Sequence, residues 1–274
     1  MPYVYLDNKQ IKDELLYILQ LTISFLQKHH IRYTIYGGTL LGAVRHHGFI
    51  PWDDDIDLGI LRTDYEELLQ VLRRNKEIGD GLYAIGFELG EGDWPFIKII
   101  NPHIFVDEKN TGVSKNLWID IFPVDAAPKH FKRLYFFYLY YFLRRIFFSK
   151  RADEFNIQYK NSDNIIKQTY NNLLSFVGKH ITTDRLISKY ITTCKKYDVG
   201  TAKILSENVW GTWQFRREIF AEYEEYDFEY LKVSGVKNYD EYLRTLYGDY
   251  MMMPPEEKRY SHGLVVWKEK NNEE

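Results

Sequence analysis

Four aspartates occur within five residues in the segment Trp52-Asp53-Asp54-Asp55-Ile56-Asp57-Leu58-Gly59. Carboxylates held this close repel one another, so the cluster indicates a bound cation. If residues 55–60 form a strand, its two-residue period turns Asp53, Asp55 and Asp57 to one face and its apolar positions to the other. Hard carboxylate oxygens, with room left for water and substrate phosphate, are typical of Mg²⁺ sites. The sequence therefore predicts a magnesium platform, and an acidic surface turn is the alternative.

A third carboxylate follows later, in the apolar run Leu117-Trp118-Ile119-Asp120-Ile121-Phe122. Asp120 is the charged residue of this run, and a buried carboxylate without a partner is costly. It either joins the metal site or forms a salt bridge with Lys or Arg. In the first case Asp55 and Asp57 hold two cations and Asp120 one of them, which stabilises both oxygens of an in-line displacement at phosphorus. Asp120 is then also the candidate general base for an acceptor hydroxyl.

Helices and strands on either side of a glycine pair must position these carboxylates. Apolar spacing predicts a helix over residues 9–30, and residues 33–36 read as a strand. The pair Gly37-Gly38 predicts a tight turn after that strand. Residues 39–45 then predict a short helix whose free N-terminal amides point at the turn. Such a turn is a ready phosphate cradle.

Beyond the acidic run, the sequence predicts a further helix, several short strands and then a helical region. Residues 62–74 predict a second amphipathic helix, with Thr63 as its cap. From Pro128 onward the sequence favours helices, which indicates that a separate lobe begins there. Between these two points, short strands are predicted at 82–87, 96–100, 104–107 and 117–122.

Composition excludes several classes of protein. The chain has 274 residues, of which 45% are hydrophobic and 27% charged, and its net charge is −3. This charge gives no general attraction to nucleic acid. The single cysteine, Cys194, excludes an intramolecular disulfide and argues against a structural zinc site. The first residues lack the basic stretch and apolar core of a signal peptide, so we expect a cytoplasmic protein.

Two regions resemble a known family. The glycine turn and the Asp-apolar-Asp strand resemble the signature of the polymerase-β-like nucleotidyltransferase superfamily. Residues 36–45 and 48–57 are more specifically similar to the LicD family, with the runs Tyr-Gly-Gly-Thr-Leu-Leu-Gly-Ala-Val-Arg and Gly-Phe-Ile-Pro-Trp-Asp-Asp-Asp-Ile-Asp. Near the other end, the family's closing motif is resembled by residues 239–243, Tyr247-Gly248-Asp249-Tyr250-Met251, Pro254-Pro255-Glu256-Glu257-Lys258-Arg259 and His262.

The resemblance implies an α+β fold, with a nucleotidyltransferase-like mixed β-sheet flanked by helices and a helical insertion. It implies a catalytic core over residues 1–127. A helical lobe then occupies residues 128–214, and residues 215–274 complete the active site.

The resemblance also implies a reaction. LicD enzymes are phosphotransferases that move phosphocholine from CDP-choline to a sugar hydroxyl of a cell-surface glycopolymer precursor, of teichoic acid or lipopolysaccharide type, and release CMP. Related fukutin-type enzymes move ribitol phosphate from CDP-ribitol. The implied cofactor is one or two Mg²⁺ ions, with Mn²⁺ as a substitute. The implied acceptor is a lipid-linked glycan, and no nucleic acid takes part.

Residue roles carry over by position. Asp55, Asp57 and Asp120 are implied as metal ligands and catalytic residues. The phosphate-binding turn would comprise Gly37, Gly38 and Thr39, with Arg45 as a diphosphate contact and Lys98 as a further phosphate contact. From the chemistry of the reaction, Arg259 is a candidate for a second cation at the transition state, and His262 for a contact with the leaving phosphate. The turn Asn101-Pro102-His103 after Lys98 departs from the family pattern. An exposed C-terminal histidine is the alternative for His262.

Choline recognition requires aromatic faces around a quaternary ammonium. The candidate side chains are those of Trp52, Trp94, Trp118, Trp210 and Trp213. For most of these, core packing is the alternative. Trp52 adjoins the predicted metal ligands, and it could equally stack on cytosine.

An aromatic run at residues 131–148 has basic residues near both ends. It is too short to span a bilayer. It could lie flat in the headgroup layer of the inner membrane face, where a lipid-linked acceptor would be found. A helix buried between lobes is the alternative.

Three rival classes use similar acidic motifs. A DxD glycosyltransferase also pairs aspartates with a divalent cation, but it does not account for Gly37-Gly38. A haloacid-dehalogenase-type phosphatase wants Thr or Val after its second aspartate, whereas Leu58 follows here. A structural Ca²⁺ module of EF-hand type lacks its glycine and closing glutamate. Calorimetry with CDP-choline and Mg²⁺ separates these classes.

Overall fold

The computed structural model describes residues 3–108, 114–127, 139, 142–147, 169, 172–173, 176, 180–206, 213–259, 261 and 263–270. The helices are α1 (Asn8–Lys28), α2 (Gly37–His46), α3 (Arg62–Arg74), α4 (Thr183–Cys194) and α5 (Tyr239–Tyr247). The strands are β1 (Tyr3–Tyr5), β2 (Thr34–Ile35), β3 (Asp57–Leu61), β4 (Glu77–Gly79), β5 (Leu82–Ile85), β6 (Ile97–Glu108), β7 (Ser114–Ala127), β8 (Ile204–Ser206), β9 (Gln214–Arg216), β10 (Tyr223–Phe228), β11 (Leu231–Val236) and β12 (Leu264–Glu269).

Ten of the described strands form one mixed sheet. Its main path runs β1-β12-β6-β7-β3-β2, with β5 and β4 extending from β6 and with β8 and β9 extending from β7. Strands β3 and β7 pair in parallel, and the other pairs are antiparallel. Strands β10 and β11 form a separate hairpin. The predicted α+β class, with a mixed sheet flanked by helices, is confirmed.

Helix α1 covers one face of this sheet. Its N-cap Asp7 accepts the amide of Gln10, and the Gln10 side chain accepts the amide of Asp7, which together satisfy two amides at the helix start. Its apolar stripe, which includes Ile18 and Leu19, is fully buried in the core that the sheet shares. The predicted helix at 9–30 is therefore present, and it ends at Lys28.

The longest strands form a hairpin that differs from the prediction. Residues 96–100 and 104–107 were expected as two strands, but β6 is continuous over both. The pairing register with β7 shifts between Asn101 and Phe105. Pro102 lies within this shift, where its missing N–H removes nothing from a regular ladder.

Three local predictions around the acidic run are wrong. Gly37-Gly38 is the first turn of α2 rather than a separate turn. Strand β3 begins at Asp57, so Asp55 lies in the loop before it and not on the strand. The N-cap of α3 is Leu61 and not Thr63, because β3 runs directly into the helix.

Buried charge fixes α3 to the sheet. The guanidinium of Arg62 forms a bidentate pair with Asp125 on β7, with Nε–Oδ1 at 2.7 Å and Nη2–Oδ2 at 3.0 Å. Lys195, just after α4, forms ion pairs with Glu66 and Glu88. These contacts join α3, α4 and the sheet around one ionic cluster.

The aromatic run at 131–148 is described at residue 139 and residues 142–147, where it is helical. There Leu143, Ile146 and Phe147 are buried against α4. The rest of the run lies outside the described residues, as does most of the predicted lobe at 128–214, whose boundaries stay a prediction. None of the helices in the described part of the chain combines the length and apolar composition that crossing a bilayer demands.

Candidate active site

A row of charged residues crosses three neighbouring strands. Lys98 on β6 lies opposite Asp120 on β7, and Asp120 lies beside Asp57 on the parallel strand β3. The Lys98 Nζ lies 2.5 Å from Asp120 Oδ1, and the indole N–H of Trp118 donates to Asp120 Oδ2 at 3.2 Å. Both side chains are buried, with 6% of Lys98 and 7% of Asp120 exposed. The predicted neighbourhood of Asp57 and Asp120 is therefore present, and the alternative of a salt bridge for Asp120 holds as well.

Asp57 lies where negative charge accumulates. Burial raises the pKa of the Asp57 carboxyl well above its usual range, and the carboxylates of Asp55, Asp120 and Asp53 raise it further. The ammonium of Lys98 acts in the opposite direction. A cation bound here would relieve this repulsion.

The backbone of Asp57 is fixed by the helix that follows β2. Its N–H donates to the Thr39 hydroxyl at 2.9 Å, and its carbonyl accepts the amide of Tyr36 at 2.9 Å. Thr39 is itself buried. This threonine, predicted as part of a phosphate-binding turn, thus positions the aspartate strand.

The two glycines allow α2 to approach the carboxylates closely. Gly37 has a φ of 51°, which lies in the left-handed region and favours glycine. A Cβ on Gly37 would lie 3.5 Å from Asp57 Oδ2, and one on Gly38 would lie 2.8 Å from Asp53 Oδ2. The amide of Gly37 donates to the Tyr242 hydroxyl at 3.0 Å. A side chain at Gly38 would therefore require the Asp53 carboxylate to shift.

A cleft of about 440 Å³ opens in front of the aspartates. The predicted residues that line it are Gly38, Arg45, Trp52, Asp55 and Asp57. The cleft is also lined by side chains from the C-terminal part of the chain that were given no role in the prediction, although all except Met252 lie in the closing motif. These are Tyr247, Asp249, Tyr250, Met252, Pro254 and Lys258.

Arg45 joins the two ends of the chain at this cleft. Its Nη1 donates to the carbonyl of Tyr250 at 2.6 Å, and its Nε donates to His46 Nε2 at 3.0 Å. Burial lowers the pKa of the Arg45 guanidinium, and Tyr247 nearby acts in the opposite direction. Arg45 is therefore held at the cleft wall and anchors the segment that carries Tyr247 and Tyr250.

Trp52 separates this cleft from a smaller cavity of about 240 Å³. The guanidinium of Arg259 lies 5.1 Å from the centre of the Trp52 ring, and its Nε donates to the carbonyl of Pro254. Arg259 lines the smaller cavity together with Lys12. His262 lies outside the described residues.

The remaining tryptophan candidates lie elsewhere. Trp94 and Trp118 both lie close to Lys98, with ring centres 5.5 Å and 4.4 Å from its Nζ. Trp213 is partly exposed and does not line the 440 Å³ cleft, and Trp210 lies outside the described residues. Trp52 is thus the predicted tryptophan that borders the cleft.

The carboxylate oxygens at the cleft are ligands of the kind that a hard divalent cation prefers. Asp55 and Asp57 offer carboxylate oxygens at the cleft, and burial together with the neighbouring carboxylates raises the pKa of Asp57. Within the ranges that the structure describes, no three His, Cys, Asp or Glu side chains converge as a ready metal site. Both oxygens of Asp120 accept hydrogen bonds from the chain itself. The three metal ligands stay a prediction.

Residues 30–152 match the family described as "LicD/FKTN/FKRP, nucleotidyltransferase domain". A relative from Haemophilus influenzae, named "Lipopolysaccharide cholinephosphotransferase LicD", is 28% identical over 262 residues, which cover 90% of this chain and 92% of that protein. The mouse protein named "Ribitol 5-phosphate transferase FKRP" is 35% identical over 118 residues, which cover 40% of this chain and 24% of that protein. Its human counterpart is 34% identical over the same length, covering 40% and 23%.

Proposed function

Because the chain carries a LicD-type domain and is a phosphotransferase, we propose that it transfers phosphocholine from CDP-choline to a sugar hydroxyl of a glycopolymer precursor and releases CMP. The observation that carries this proposal is the 440 Å³ cleft, which combines carboxylates at one wall with aromatic and acidic side chains from the closing motif. Its volume lies within the range of small-molecule sites.

We assign the two ends of the donor, cytosine and choline, to different aromatic side chains of the cleft. One face of the Trp52 ring is already covered by the guanidinium of Arg259. A neutral base can stack on the other face of such a ring, whereas a second cation there would compete for the same ring electrons. We therefore assign cytosine to Trp52.

The choline group is then assigned to the opposite rim. Tyr247 is 45% exposed at this rim, and Tyr250 and Asp249 line the cleft beside it. Aromatic faces with a nearby carboxylate suit a quaternary ammonium, which can form no hydrogen bond of its own. A neutral polyol can donate hydrogen bonds to the carboxylate, but it gains no cation–π attraction from the aromatic faces, which favours choline over ribitol.

Asp55 and Asp57 are the proposed ligands of Mg²⁺, for which Mn²⁺ is a substitute. When bound, the metal supplies charge neutralisation for the phosphates of the donor. The acceptor oxygen forms a bond to the phosphorus that bears choline, and the bond from that phosphorus to the bridging oxygen breaks, so CMP leaves with the bonding electrons. Thr39 holds Asp57 in place, and Arg45 lies at the wall where the phosphates would bind. The predicted base, Asp120, would take the hydroxyl proton.

The acceptor is proposed to be a lipid-linked glycan of the lipopolysaccharide or teichoic acid type, modified in the cytoplasm at the inner membrane face. An apolar surface beside the cleft supports this choice. Met251, Met252 and Met253 are all exposed large apolar residues, and Met252 also lines the cleft. Exposed apolar patches next to a site are typical of contact with lipid or with a partner.

Ribitol phosphate is the second candidate for the transferred group. The similarity to the mouse and human ribitol 5-phosphate transferases favours it. Calorimetry with CDP-choline, CDP-ribitol and a nucleotide sugar, each with Mg²⁺, separates the candidates. We expect CDP-choline to bind most tightly. Tighter binding of CDP-ribitol would shift the assignment to the second candidate, and a preference for the nucleotide sugar would favour a glycosyltransferase.

A matched pair of variants tests the choline rim. Tyr247→Leu should weaken CDP-choline binding by about tenfold, the size expected for one lost cation–π contact. Tyr230→Leu changes another exposed tyrosine, one that does not line the cleft, and it should leave the affinity unchanged. Equal affinities for both variants would contradict the placement of choline.

A further inference from the structure

A lysine occupies the position next to the catalytic carboxylates where a second metal ion was expected. Lys98, Asp120 and Asp57 lie side by side on β6, β7 and β3. Because neighbouring strands are about 5 Å apart, the three side chains project from one face of the sheet within a short distance. A positive charge is thus built into the row of aspartates.

The ammonium of Lys98 is closely confined. Its Nζ contacts Asp120 Oδ1 at 2.5 Å and lies 4.4 Å from the ring centre of Trp118, 5.1 Å from that of Phe96 and 5.5 Å from that of Trp94. Aromatic faces attract a desolvated cation, and burial of the whole side chain limits its rotamers. The ammonium therefore has a defined position.

Asp120 is held as firmly from its other side. The indole N–H of Trp118 donates to Oδ2, while Lys98 contacts Oδ1. A divalent ion at Asp120 would have to displace one of these donors or bind beside an ammonium. Two cations bound to the same carboxylate repel each other strongly in a buried site.

We infer that the site takes one divalent cation, held by Asp55 and Asp57, and that Lys98 supplies the second positive charge at Asp120 in place of a second ion. This inference rests on the proposed function and deepens it. Lys98 is a positioning residue here, since it acts through Asp120. In this role Lys98 acts through a contact within the protein, and the phosphate contact expected from the sequence stays a prediction.

The test counts the ions bound to the protein. Mn²⁺ is titrated into the full chain mixed with an equal concentration of CDP-choline, and free Mn²⁺ is measured by electron paramagnetic resonance, with a protein-free mixture as the blank. We expect one tightly bound ion in the wild type and two in Lys98→Met, where Asp120 loses its cation. Two ions in the wild type, or one in both proteins, would overturn the inference.

Two further variants control for damage to the fold. Arg62→Met removes another buried cation from a carboxylate, that of Asp125, and should still bind one ion. Asp120→Asn keeps the shape of the side chain, and it should retain the wild-type ion with an affinity within about threefold. Loss of that ion would overturn the inference even if Lys98→Met does not fold.

Failure of the proposed function would look different. If the wild type binds CDP-choline but no Mn²⁺, the lysine has no ion to complement and the inference fails, while donor binding stands. If neither CDP-choline nor Mn²⁺ binds, the proposed function fails together with the inference.

Discussion

Thr39 connects helix α2 to the aspartate strand through one buried hydrogen bond, so its hydroxyl should matter for catalysis without touching the reacting atoms. Its Oγ1 accepts the amide of Asp57 at 2.9 Å. Thr39→Val keeps a branched side chain of similar shape but removes this acceptor. The amide of Asp57 then stays buried without its partner, and the carboxylate is free to shift.

The size of both effects follows from this contact. Leaving one buried donor unsatisfied costs about 1–3 kcal/mol. A loss of about 2 kcal/mol should lower the melting temperature by about 4–8 °C in a chain of this size. A displacement of about 1 Å at a reacting centre costs on the order of 100-fold in rate. We therefore expect CMP release from CDP-choline to fall by about 10- to 100-fold.

Thr34 provides a matched control on the neighbouring strand β2. It is equally buried, and its Oγ1 accepts the amide of Val236 at 3.0 Å. Thr34→Val should therefore cost at least as much stability while leaving Asp57 in place. The assay is thermal unfolding of both variants, together with chromatography of CMP released in the presence of MgCl₂.

The comparison between the two threonines decides the role of Thr39. If both variants lose similar stability but Thr34→Val alone keeps the wild-type rate of CMP release, Thr39 positions the catalytic strand. Equal rates in both variants would refute the reasoning, because the hydroxyl would then be a general packing feature.

Three more outcomes are expected. Arg62→Met leaves Asp125 as an unpaired buried carboxylate, so chemical denaturation should show a loss of about 3–5 kcal/mol; a loss below 1 kcal/mol would show that the pair adds little. Burial raises the pKa of Tyr223 to about 12, so the folded protein keeps this phenol proton above pH 10 where the unfolded chain loses it. The free energy of unfolding should therefore fall between pH 10 and 12, and less steeply in Tyr223→Phe; parallel curves would contradict this. Finally, EDTA should stop CMP release and excess Mg²⁺ should restore it, whereas full activity in EDTA would exclude the proposed metal.

The long helices could be predicted because their signals are local. The apolar spacing of α1 and α3 continues over several turns, and the observed bounds, Asn8–Lys28 and Arg62–Arg74, lie within about two residues of the prediction. The mixed sheet was implied by the resemblance to the LicD family, whereas the single helices and several of the short strands were indicated by periodicity. Periodicity of this kind depends only on the residues within each element.

The errors arise where distant partners set the element bounds. Strand β3 begins at Asp57 because its pairing with β7 begins at Asp120. A glycine pair favours a turn, but the positive φ of Gly37 lets the chain pass from β2 straight into α2. Thr63 looked like a cap, yet no loop separates β3 from α3 and Leu61 takes that position.

The site could be predicted only in part from the sequence, for the same reason. The local motif located Asp55, Asp57 and the glycines. The contact between Lys98 and Asp120 depends on the register of a hairpin, and sequence offers no direct reading of register across a bulge. Tyr247 and Asp249 reach the cleft only because the chain returns to it near its end.

Isotope labelling tests directly which phosphorus of the donor is attacked. The protein is incubated with CDP-choline and Mg²⁺ in ¹⁸O-labelled water, and the products of slow hydrolysis are weighed by mass spectrometry. Attack on the phosphorus that bears choline places ¹⁸O in phosphocholine and leaves CMP unlabelled, which is the predicted result. Label in CMP would mean attack on the nucleotide phosphorus and would contradict phosphocholine transfer.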